Sequence, residues 1–397
     1  MVLQPKIIYH LAGIFAAAAA FFILIPGIGA FRIRSVWRLF RALLLESALL
    51  PSLRYTDIRE IERRRGGAGV RFRFFGRLQA LQGDNTIWLS DGEVSLPAEL
   101  QQVYVYILDS NTPLSQDLWE HYPAKPPLRV KWDKISSLPE ETKIFVSGEI
   151  MWKAGRASFV DTANNPLFVL IYEGNDSELL IRGTWSGRQK NEYWNALSPG
   201  SLLLGFFSLF IYFYILTQFP QFIFPAITAL TLACIPITPL LPPAVITYYF
   251  YRRFWQRGRV LRAQRDLLRL PLSFFSEKEG GKTSQEITLH NGETYRMRVF
   301  PSGDLPRETP AYRVFPKLSA STDTRTCVFF GGGEGDALTR PLDPMAEAMI
   351  VPGDPFELAH KCQRSAFRNE ILGLLILIFG IGITEFLLFV LFSYIVL

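Results

Sequence analysis

Cysteine is scarce in this chain of 397 residues, and the three that occur are Cys234, Cys327 and Cys362. They lie far apart and form no C-x-x-C pair. This spacing excludes a disulfide framework and the zinc sites that are built from closely spaced cysteines. The soluble parts of the protein are therefore expected to reside in a reducing compartment.

Charged residues are absent from one long stretch, because Tyr193–Tyr251 contains no Asp, Glu, Lys or Arg. About 20 apolar residues cross a bilayer as a helix, so this stretch is long enough to cross twice. Pro220 supplies a turn near its middle. The sequence therefore predicts a transmembrane hairpin with arms Gly200–Gln218 and Phe222–Phe250, whose two ends emerge on the same side.

The second arm of this hairpin is rich in proline, which removes helical N–H donors. The prolines are Pro225, Pro236, Pro239, Pro242 and Pro243. Freed carbonyl groups are tolerated at membrane depth only where protein or water satisfies them. The arm is expected to be either a kinked helix or a partly re-entrant segment.

Two further apolar stretches, Ile7–Phe31 and Ile371–Leu397, bring the number of predicted membrane spans to four. Lys6 and the small residues of Gly27–Ala30 give the first stretch some likeness to a cleaved signal peptide. Its apolar run is long, however, and the stronger positive charge follows it. The first stretch is therefore predicted to be an uncleaved anchor with its N-terminus outside.

The formal net charge of +6 has a local origin in arginines that border the apolar stretches. These are Arg32, Arg34, Arg38 and Arg41 after the first stretch, and Arg252, Arg253, Arg257, Arg259, Arg262, Arg265 and Arg269 after the hairpin. Cationic borders stay in the cytoplasm, which predicts cytoplasmic soluble segments and outside termini in a bacterial-type inner membrane. Because the excess charge is confined to these borders, it does not favour a nucleic-acid partner.

The segment after Gly69 changes to the period of two that is typical of β-strands. Arg71–Leu81 places Phe72, Phe74, Leu78 and Ala80 on one face, and Lys143–Trp152 repeats the alternation. The strands are expected to bury Phe72, Val146 and Ile150. Asp91-Gly92 and Asn291-Gly292 are typical of tight hairpin turns.

Five or so short strands with glycines inside them resemble an OB-type small barrel over about Val70–Gly174. The patterns that carry this resemblance are Phe-Phe-Gly-Arg-Leu at 74–78 and Val-Ser-Gly-Glu-Ile at 146–150. Such barrels often bind oligonucleotides or sugars through exposed aromatic and basic residues. The outward face here carries Arg71, Arg73, Arg77, Lys143, Lys153, Arg156 and Glu149. We interpret it as a solvated face or a protein contact.

The predicted fold class is thus an α+β multi-pass membrane protein with about four transmembrane helices and two β-rich soluble domains, the first OB-like. The predicted segments are a first span (1–31), a juxtamembrane helix (32–54), the OB-like domain (55–195), the hairpin (196–251), a basic helix (252–270), a second β-rich domain (271–354), and a helix that runs into the last span (355–397). The juxtamembrane helix either lies at the level of the lipid headgroups or extends the first span.

The sequence predicts no catalytic residue, no cofactor-binding residue and no metal ligand. Gly331–Asp336 follows a strand but matches neither a phosphate-binding loop nor a dinucleotide fingerprint, so it is interpreted as a turn. His360 and Cys362 stand two residues apart on a predicted helix and point in different directions. No nucleophile elbow, H-E-x-x-H or kinase signature occurs.

Glu385 is the one candidate functional residue, because it lies inside the last apolar stretch, where an ionisable group is costly. Without a cation in Ile371–Leu397 it is expected to be neutral and hydrogen-bonded, with a carbonyl freed by the hairpin prolines as its acceptor. Gly380 and Gly382 are expected to allow close helix packing. A role in proton handling and a structural hydrogen bond both remain open.

The leading functional hypothesis is a non-enzymatic, membrane-anchored scaffold or regulatory subunit whose cytoplasmic β domains bind another protein. The alternative is a small transporter or transport accessory that uses Glu385 and the proline-rich arm. A membrane-bound enzyme has no motif in its favour. The expected partners are the lipid bilayer and another membrane or cytoplasmic protein.

Overall fold

The computed structural model describes residues 5–63, 69–83, 85–108, 125–135, 137–153, 155–190, 192–275, 286–301, 312–313, 326–332 and 339–396. The chain forms two compact units. The first, which we name the helical unit, comprises Met1–Arg38, Asn191–Val260 and Arg364–Leu397. The second, the sheet unit, comprises Leu39–Lys190 and Leu261–Gln363.

The described residues form eight α-helices, which are grouped before, between and after two runs of strands. They are α1 (Pro5–Ala19), α2 (Ile25–Leu49), α3 (Tyr55–Arg63), α4 (Leu179–Ser186), α5 (Ser198–Thr217), α6 (Ile223–Ala233), α7 (Ala244–Phe275) and α8 (Pro355–Val396). A π-helical turn, Ala20–Leu24, joins α1 to α2. The predicted first span and the helix after it are therefore nearly continuous.

Within the described residues, three helical stretches are long and apolar enough to cross a membrane, and not the four predicted. They are Pro5–Leu49, Ser198–Thr217 and Pro355–Ile395. The predicted arm Phe222–Phe250 is the one that fails, because α6 ends at Ala233 and the next helix begins only at Ala244. The proline-rich residues between them form turns and a short 3₁₀ segment, Thr238–Leu240.

The helical unit has an apolar core in which α1, α5 and α6 meet. Its buried members are Ile14, Ala18, Phe22, Leu209, Leu216, Ala226, Ala229 and Ala233. The small alanine side chains of α6 allow its backbone to come close to its neighbours. The outward sides of the same helices carry exposed large apolar side chains, among them Leu203, Phe207 and Ile211.

In its described residues the sheet unit contains thirteen strands in two sheets. The first sheet has β1 (Val70–Gln82), β2 (Thr86–Ser90), β3 (Ser95–Glu99), β4 (Tyr104–Ile107), β5 (Leu128–Lys131), β6 (Lys143–Lys153), β7 (Arg156–Val160) and β8 (Phe168–Ile171). The second has β9 (Glu286–Thr288), β10 (Thr294–Pro301), β11 (Tyr312–Arg313), β12 (Thr326–Gly331) and β13 (Met349–Pro352). The spatial orders are β1-β2-β3-β7-β6-β8-β4-β5 and β11-β13-β12-β10-β9.

Five strands of the first sheet close into a small barrel, because β1 pairs with β6 as well as with β2. The predicted parity is confirmed for Phe72, Val146 and Ile150, which are buried in the barrel core. It is wrong for Ala80, which is exposed, because the register of β1 shifts between Leu78 and Ala80. The two predicted hairpins are also confirmed. Gly92 and Gly292 each have a positive φ, 101° and 83°, which glycine adopts without strain.

The expectation of one buried face per strand is wrong for β6, where Phe145 and Ser147 on the outward face are buried as well. The reason is that β6 lies in the middle of the sheet, between the barrel and β8. Rings on the outer surface fill the space, with Phe145 4.8 Å from Phe75 and 6.3 Å from Phe168 between centroids. The outward face of β6 is therefore accessible to solvent only near the two ends of the strand, at Lys143 and Lys153.

The C-terminal part of α2, which belongs to the juxtamembrane segment 32–54, packs against protein in the sheet unit. Phe40 and Leu44 of α2 are fully buried. A Cβ atom on Gly183 or Gly187 at α4 would lie 2.6 Å from Leu44 and 2.8 Å from Phe40, respectively. The two glycines therefore allow α2 and α4 to come into close contact.

Candidate functional site

Glu385, the residue singled out by the sequence, is half-buried on α8 and faces the proline-rich turn after α6. Its Oε1 contacts the hydroxyl of Thr238, which is fully buried. Its Oε2 is buried and has no hydrogen-bond partner among the described residues. The partner is thus a hydroxyl of the proline-rich segment, and not the free carbonyl that was expected.

The number of protons available for hydrogen bonds between Glu385 and Thr238 favours a neutral Glu385 carboxylic acid. A hydroxyl has one proton to donate, and Thr238 Oγ1 lies near two acceptors, Glu385 Oε1 and the carbonyl oxygen of Cys234 at 3.0 Å. An ionised Glu385 would leave one of the two contacts without a proton. A neutral Glu385 donates its own O–H to Thr238, which then donates to Cys234.

The neighbouring residue, Thr384, joins α8 to the first residue of α7. Its hydroxyl accepts a 3.1 Å hydrogen bond from the backbone N–H of Ala244 and donates a 3.1 Å bond to the carbonyl oxygen of Gly380. The first N–H groups of a helix have no partner within that helix. Thr384 therefore caps α7 at the point where Pro242 and Pro243 end the turn.

Small residues bring α7 and α8 into close antiparallel contact. A Cβ atom on Gly380 would lie 1.8 Å from Thr247 Oγ1, and one on Gly373 would lie 3.1 Å from Phe254 Cβ. Farther along, a Cβ on Gly258 would lie 3.3 Å from the carbonyl oxygen of Ala366. Gly382, also expected at a helix contact, has nothing within 4 Å of its added Cβ.

A second polar cluster in the helical unit satisfies the carbonyl groups of the π-helical turn. Pro26 has no N–H to offer to the carbonyls of Phe21 and Phe22, which stand five and four residues before it. The hydroxyl of Ser201 donates to Phe21 and that of Tyr193 donates to Phe22, at 2.5 Å and 2.9 Å. The Asn195 amide donates to the carbonyl of Pro26 at 3.0 Å.

The arginines predicted at the membrane border lie mainly on open surface. Arg32, Arg34, Arg38, Arg252, Arg253 and Arg257 are exposed, and Arg41 and Arg259 are half-buried. Arg41 donates a 2.9 Å bond to the carbonyl oxygen of Gly187. Arg259 lies 5.7 Å from the centre of the Trp255 ring. Of the exposed arginines, Arg34 lies 4.0 Å from Glu192 Oε2 in a pair at the surface.

The sheet unit contains buried charges that the sequence did not indicate. Arg73, predicted to be on the outward face of β1, is only 2% exposed and forms an ion pair with Asp343. Burial lowers the pKa of the Arg73 guanidinium, and the Asp343 carboxylate opposes this change. Arg73 also donates to the carbonyl of Ala48 at 2.9 Å. Its burial arises from a distant segment of the chain, which strand periodicity cannot reveal.

Glu347 is a second buried ionisable residue of the sheet unit, with 1% of its surface exposed. Burial raises its pKa to about 8, although Arg340 Nη2 at 3.6 Å from Oε2 favours ionisation and Glu178 opposes it. Neither carboxyl oxygen has a hydrogen-bond partner in the described part of the chain. The neighbouring Tyr295 hydroxyl donates to the backbone carbonyl of Glu347 at 2.9 Å. Desolvation is therefore the main cause of the raised pKa of the Glu347 carboxyl group.

A polar cleft of about 300 Å³ opens beside the barrel, entirely within the sheet unit. Its lining residues are Ser52, Phe74, Phe75, Gly76, Arg77, Ser90, Asp91, Lys143, Tyr172, Asp176 and Pro344. Lys143 Nζ donates to Asp176 Oδ1 at 2.9 Å, and the Tyr172 hydroxyl donates to the same oxygen at 2.9 Å. The cleft therefore presents charges of both signs around an aromatic floor, and we name it the barrel cleft.

Of the residues considered for metal binding or phosphate binding, the structure describes Cys327, Gly331, Gly332, His360 and Cys362. No cluster of three or more His, Cys, Asp or Glu side chains occurs among the described residues. Cys327 and Cys362 are buried. Residues 333–336 of the glycine-rich stretch Gly331–Asp336 lie outside the described residues. Comparison with protein-family models, with curated proteins and with solved structures found no match.

Proposed function

We propose that this protein is a non-enzymatic scaffold or regulatory subunit, anchored in a bacterial-type cytoplasmic membrane, which binds a protein partner through its sheet unit. The anchoring part rests on the surface of the helices, since only 11% of the most apolar window of Pro355–Ile395 is buried within the protein. An apolar surface of this extent is typical of contact with lipid. The arginine borders favour a cytoplasmic location of the sheet unit. Its closed five-stranded barrel is compatible with the OB type.

The observation that carries the binding role is the barrel cleft. Its volume of about 300 Å³ lies at the lower end of the range for ligand pockets, and its lining combines charged and aromatic side chains. Phe75 supplies an apolar surface, and Arg77 supplies a charge that is 59% exposed and thus available to a partner. Arg73, in contrast, is buried and forms an ion pair with Asp343.

Photo-crosslinking in intact cells tests this proposal. A benzophenone amino acid is placed at exposed positions of the sheet unit (Gln79, Glu93, Arg129 and Lys153) and at lipid-facing Phe207 of the helical unit. The proposal expects one reproducible protein adduct from at least one sheet-unit position and none of that mass from Phe207. If every sheet-unit position gives only uncrosslinked protein, the binding role is wrong. Reporter fusions after Gly187 and Pro352 test the cytoplasmic location, and extracytoplasmic activity at either would contradict it.

The transporter alternative is supported by one specific observation, the buried Glu385 Oε2 without a described partner. A group of this kind is able to take up or release a proton if water reaches it. The substitution Glu385→Gln separates the alternatives. Normal membrane assembly with loss of the cellular function would favour proton handling, whereas retention of function would favour a structural hydrogen bond.

A further inference from the structure

The edge of β1 that borders the barrel cleft is paired at two places and open between them. Before the gap, the N–H of Arg73 donates to the carbonyl of Pro51 at 3.0 Å, and the N–H of Leu53 donates to the carbonyl of Arg73 at 2.9 Å. After the gap, Arg77 pairs with Ser90 of β2. No described strand pairs with this edge between residues 73 and 77.

Phe75 is the residue whose peptide groups point into this gap. Successive residues of a strand direct their N–H and C=O groups to opposite edges. The groups of Arg73 and Arg77 point away from β6, so those of Phe75 point the same way. Among the described residues, neither its N–H nor its C=O has a backbone partner at this edge. A half-buried strand therefore presents one donor and one acceptor to the cleft, which is the arrangement that extended peptides pair with.

The charged side chains around the gap differ in the hydrogen bonds that they already make within the protein. Asp91 Oδ1 accepts the backbone N–H groups of Glu93 and Val94, at 2.9 Å and 2.8 Å. Asp176 Oδ1 accepts bonds from Lys143 and Tyr172. Arg77, in contrast, makes one described bond, to Glu141 Oε2 at 2.9 Å, in a pair in which both side chains are more than half exposed. Water screens such a pair, so an incoming carboxylate replaces Glu141 at small cost.

We propose that the barrel cleft binds an extended peptide segment that carries a carboxylate. One residue of the segment pairs with the N–H and C=O of Phe75, and the carboxylate binds the guanidinium of Arg77, which has five N–H donors. The occupant is a single extended residue or a chain end, because Leu53 and Ser90 close the gap on either side. This inference rests on the proposed function and names the chemistry of the partner.

Peptide selection on the full-length protein in lipid nanodiscs tests the proposal. Two random heptapeptide libraries are used, one with a free C-terminal carboxylate and one with an amidated C-terminus. Enrichment in the free library alone identifies a terminal carboxylate, whereas enrichment of Asp or Glu in both libraries identifies a side chain. The absence of any acidic preference in either library would overturn the proposal.

The selected peptides are then titrated against Arg77→Glu and against Lys153→Glu as a matched control. Arg77 and Lys153 are both 59% exposed and each forms a surface ion pair. The proposal expects Arg77→Glu to weaken binding by about tenfold or more, and Lys153→Glu to change it by less than about twofold. Equal affinity for the wild type and Arg77→Glu would overturn it, as would equal losses in both variants.

Hydrogen exchange of the Phe75 amide gives a second measurement that does not depend on a folded variant. In the free protein this amide should exchange faster than those of Phe74 and Gly76, which point to β6. Bound peptide should slow the exchange of Phe75 selectively, by about tenfold or more. An amide that is already protected, or that peptide leaves unchanged, would contradict the pairing. Crosslinks to a partner from other sheet-unit positions would then leave the proposed function intact.

Discussion

The hydroxyl of Tyr193 donates a 2.9 Å hydrogen bond to the carbonyl oxygen of Phe22, a carbonyl for which Pro26 has no N–H to offer. Because the carbonyl lies in an apolar stretch, water cannot replace this bond if the stretch spans a membrane. A side chain that is distant in sequence thus compensates for a proline inside a predicted span.

The substitution Tyr193→Phe should destabilise the helical unit by about 1 kcal/mol, the size typical of hydrogen bonds between membrane helices. Equilibrium unfolding in mixed micelles measures this change. Tyr214→Phe is the matched control, because Tyr214 is 64% exposed and has no described side-chain bond. The substitution Pro26→Ala restores a backbone N–H that can donate to a carbonyl of the preceding helical turn. In a Pro26→Ala background, Tyr193→Phe should therefore destabilise the helical unit by a smaller amount. An unchanged cost would show that Pro26 is not the reason for the bond.

Replacing Gly380 by Ala should destabilise the contact of α7 with α8 by about 1–3 kcal/mol, as overpacking does. The added Cβ would lie 1.8 Å from Thr247 Oγ1, so the two helices must separate. Gly382→Ala is the control on the same helix, since its Cβ meets nothing within 4 Å. Thermal unfolding of both variants in one detergent compares them, and equal melting temperatures would contradict the close approach.

Glu385→Gln should have almost no effect on the stability or assembly of the helical unit. The Gln amide donates to Thr238 as the neutral carboxylic acid does, so the bond to Cys234 is preserved. Glu385→Leu and Thr238→Val each remove one partner of the hydrogen bond between these residues. Each should lower the free energy of unfolding by about 1 kcal/mol. Unfolding in mixed micelles gives these values. A Gln variant as unstable as the Leu variant would show that Glu385 is ionised in the folded protein.

Arg73→Met should destabilise the sheet unit by about 3–5 kcal/mol, because it leaves the Asp343 carboxylate buried without its cation. The double variant Arg73→Met with Asp343→Leu should recover much of this loss, since no charge is then buried. Arg77→Met is the control on the same face of β1, and no measurable change is expected there. Pulse proteolysis in urea measures all four proteins, and a double variant no better than Arg73→Met would refute the pairing.

The stability of the sheet unit should fall as the pH rises from about 6 to 8, through the ionisation of Glu347. Its pKa is raised to about 8 in the folded protein, above the ordinary value near 4.3. In this interval the folded state holds a proton that the unfolded state has lost, so the slope of stability with pH is negative, at most about 1.4 kcal/mol per pH unit.

Glu347→Gln should remove this dependence, because its amide does not titrate. The groups that face Glu347 are Arg340 and Glu178, with the Tyr295 hydroxyl at its carbonyl. Urea unfolding of both proteins at pH 6 and pH 8 gives the comparison. The same slope in both would assign the pH dependence to another group.

Local patterns in the sequence predicted the local structure well. Alternation placed Phe72, Val146 and Ile150 inside the barrel, and the Asp-Gly and Asn-Gly pairs marked its hairpin and that of the second sheet. These features depend on neighbouring residues, which a sequence displays directly. The predicted number of four spans was wrong because hydropathy does not indicate that the prolines divide Phe222–Phe250 into two separate helices.

The residues of the candidate sites were predicted only in part, since their partners are distant in the chain. Glu385 was singled out because an acid in an apolar stretch is conspicuous, but nothing in the sequence indicated Thr238. Arg73 occupies an outward strand position like Arg77, yet only the first is buried. Phe75 lies between Arg73 and Arg77 at the outward parity of β1, and an apolar residue among these arginines is a signal that the sequence offers at the barrel cleft.

The ion pair of Arg73 and Asp343 joins residues that are 270 positions apart in the chain. At ribosomal rates of about 5–20 residues per second, their synthesis is separated by an interval on the order of tens of seconds. Throughout this interval the barrel strand carries a cation whose counter-ion has not yet been synthesised, and both α5 and α6 are synthesised before that counter-ion. The nascent barrel must therefore keep Arg73 in water, and final burial of this residue is postponed until the second sheet arrives.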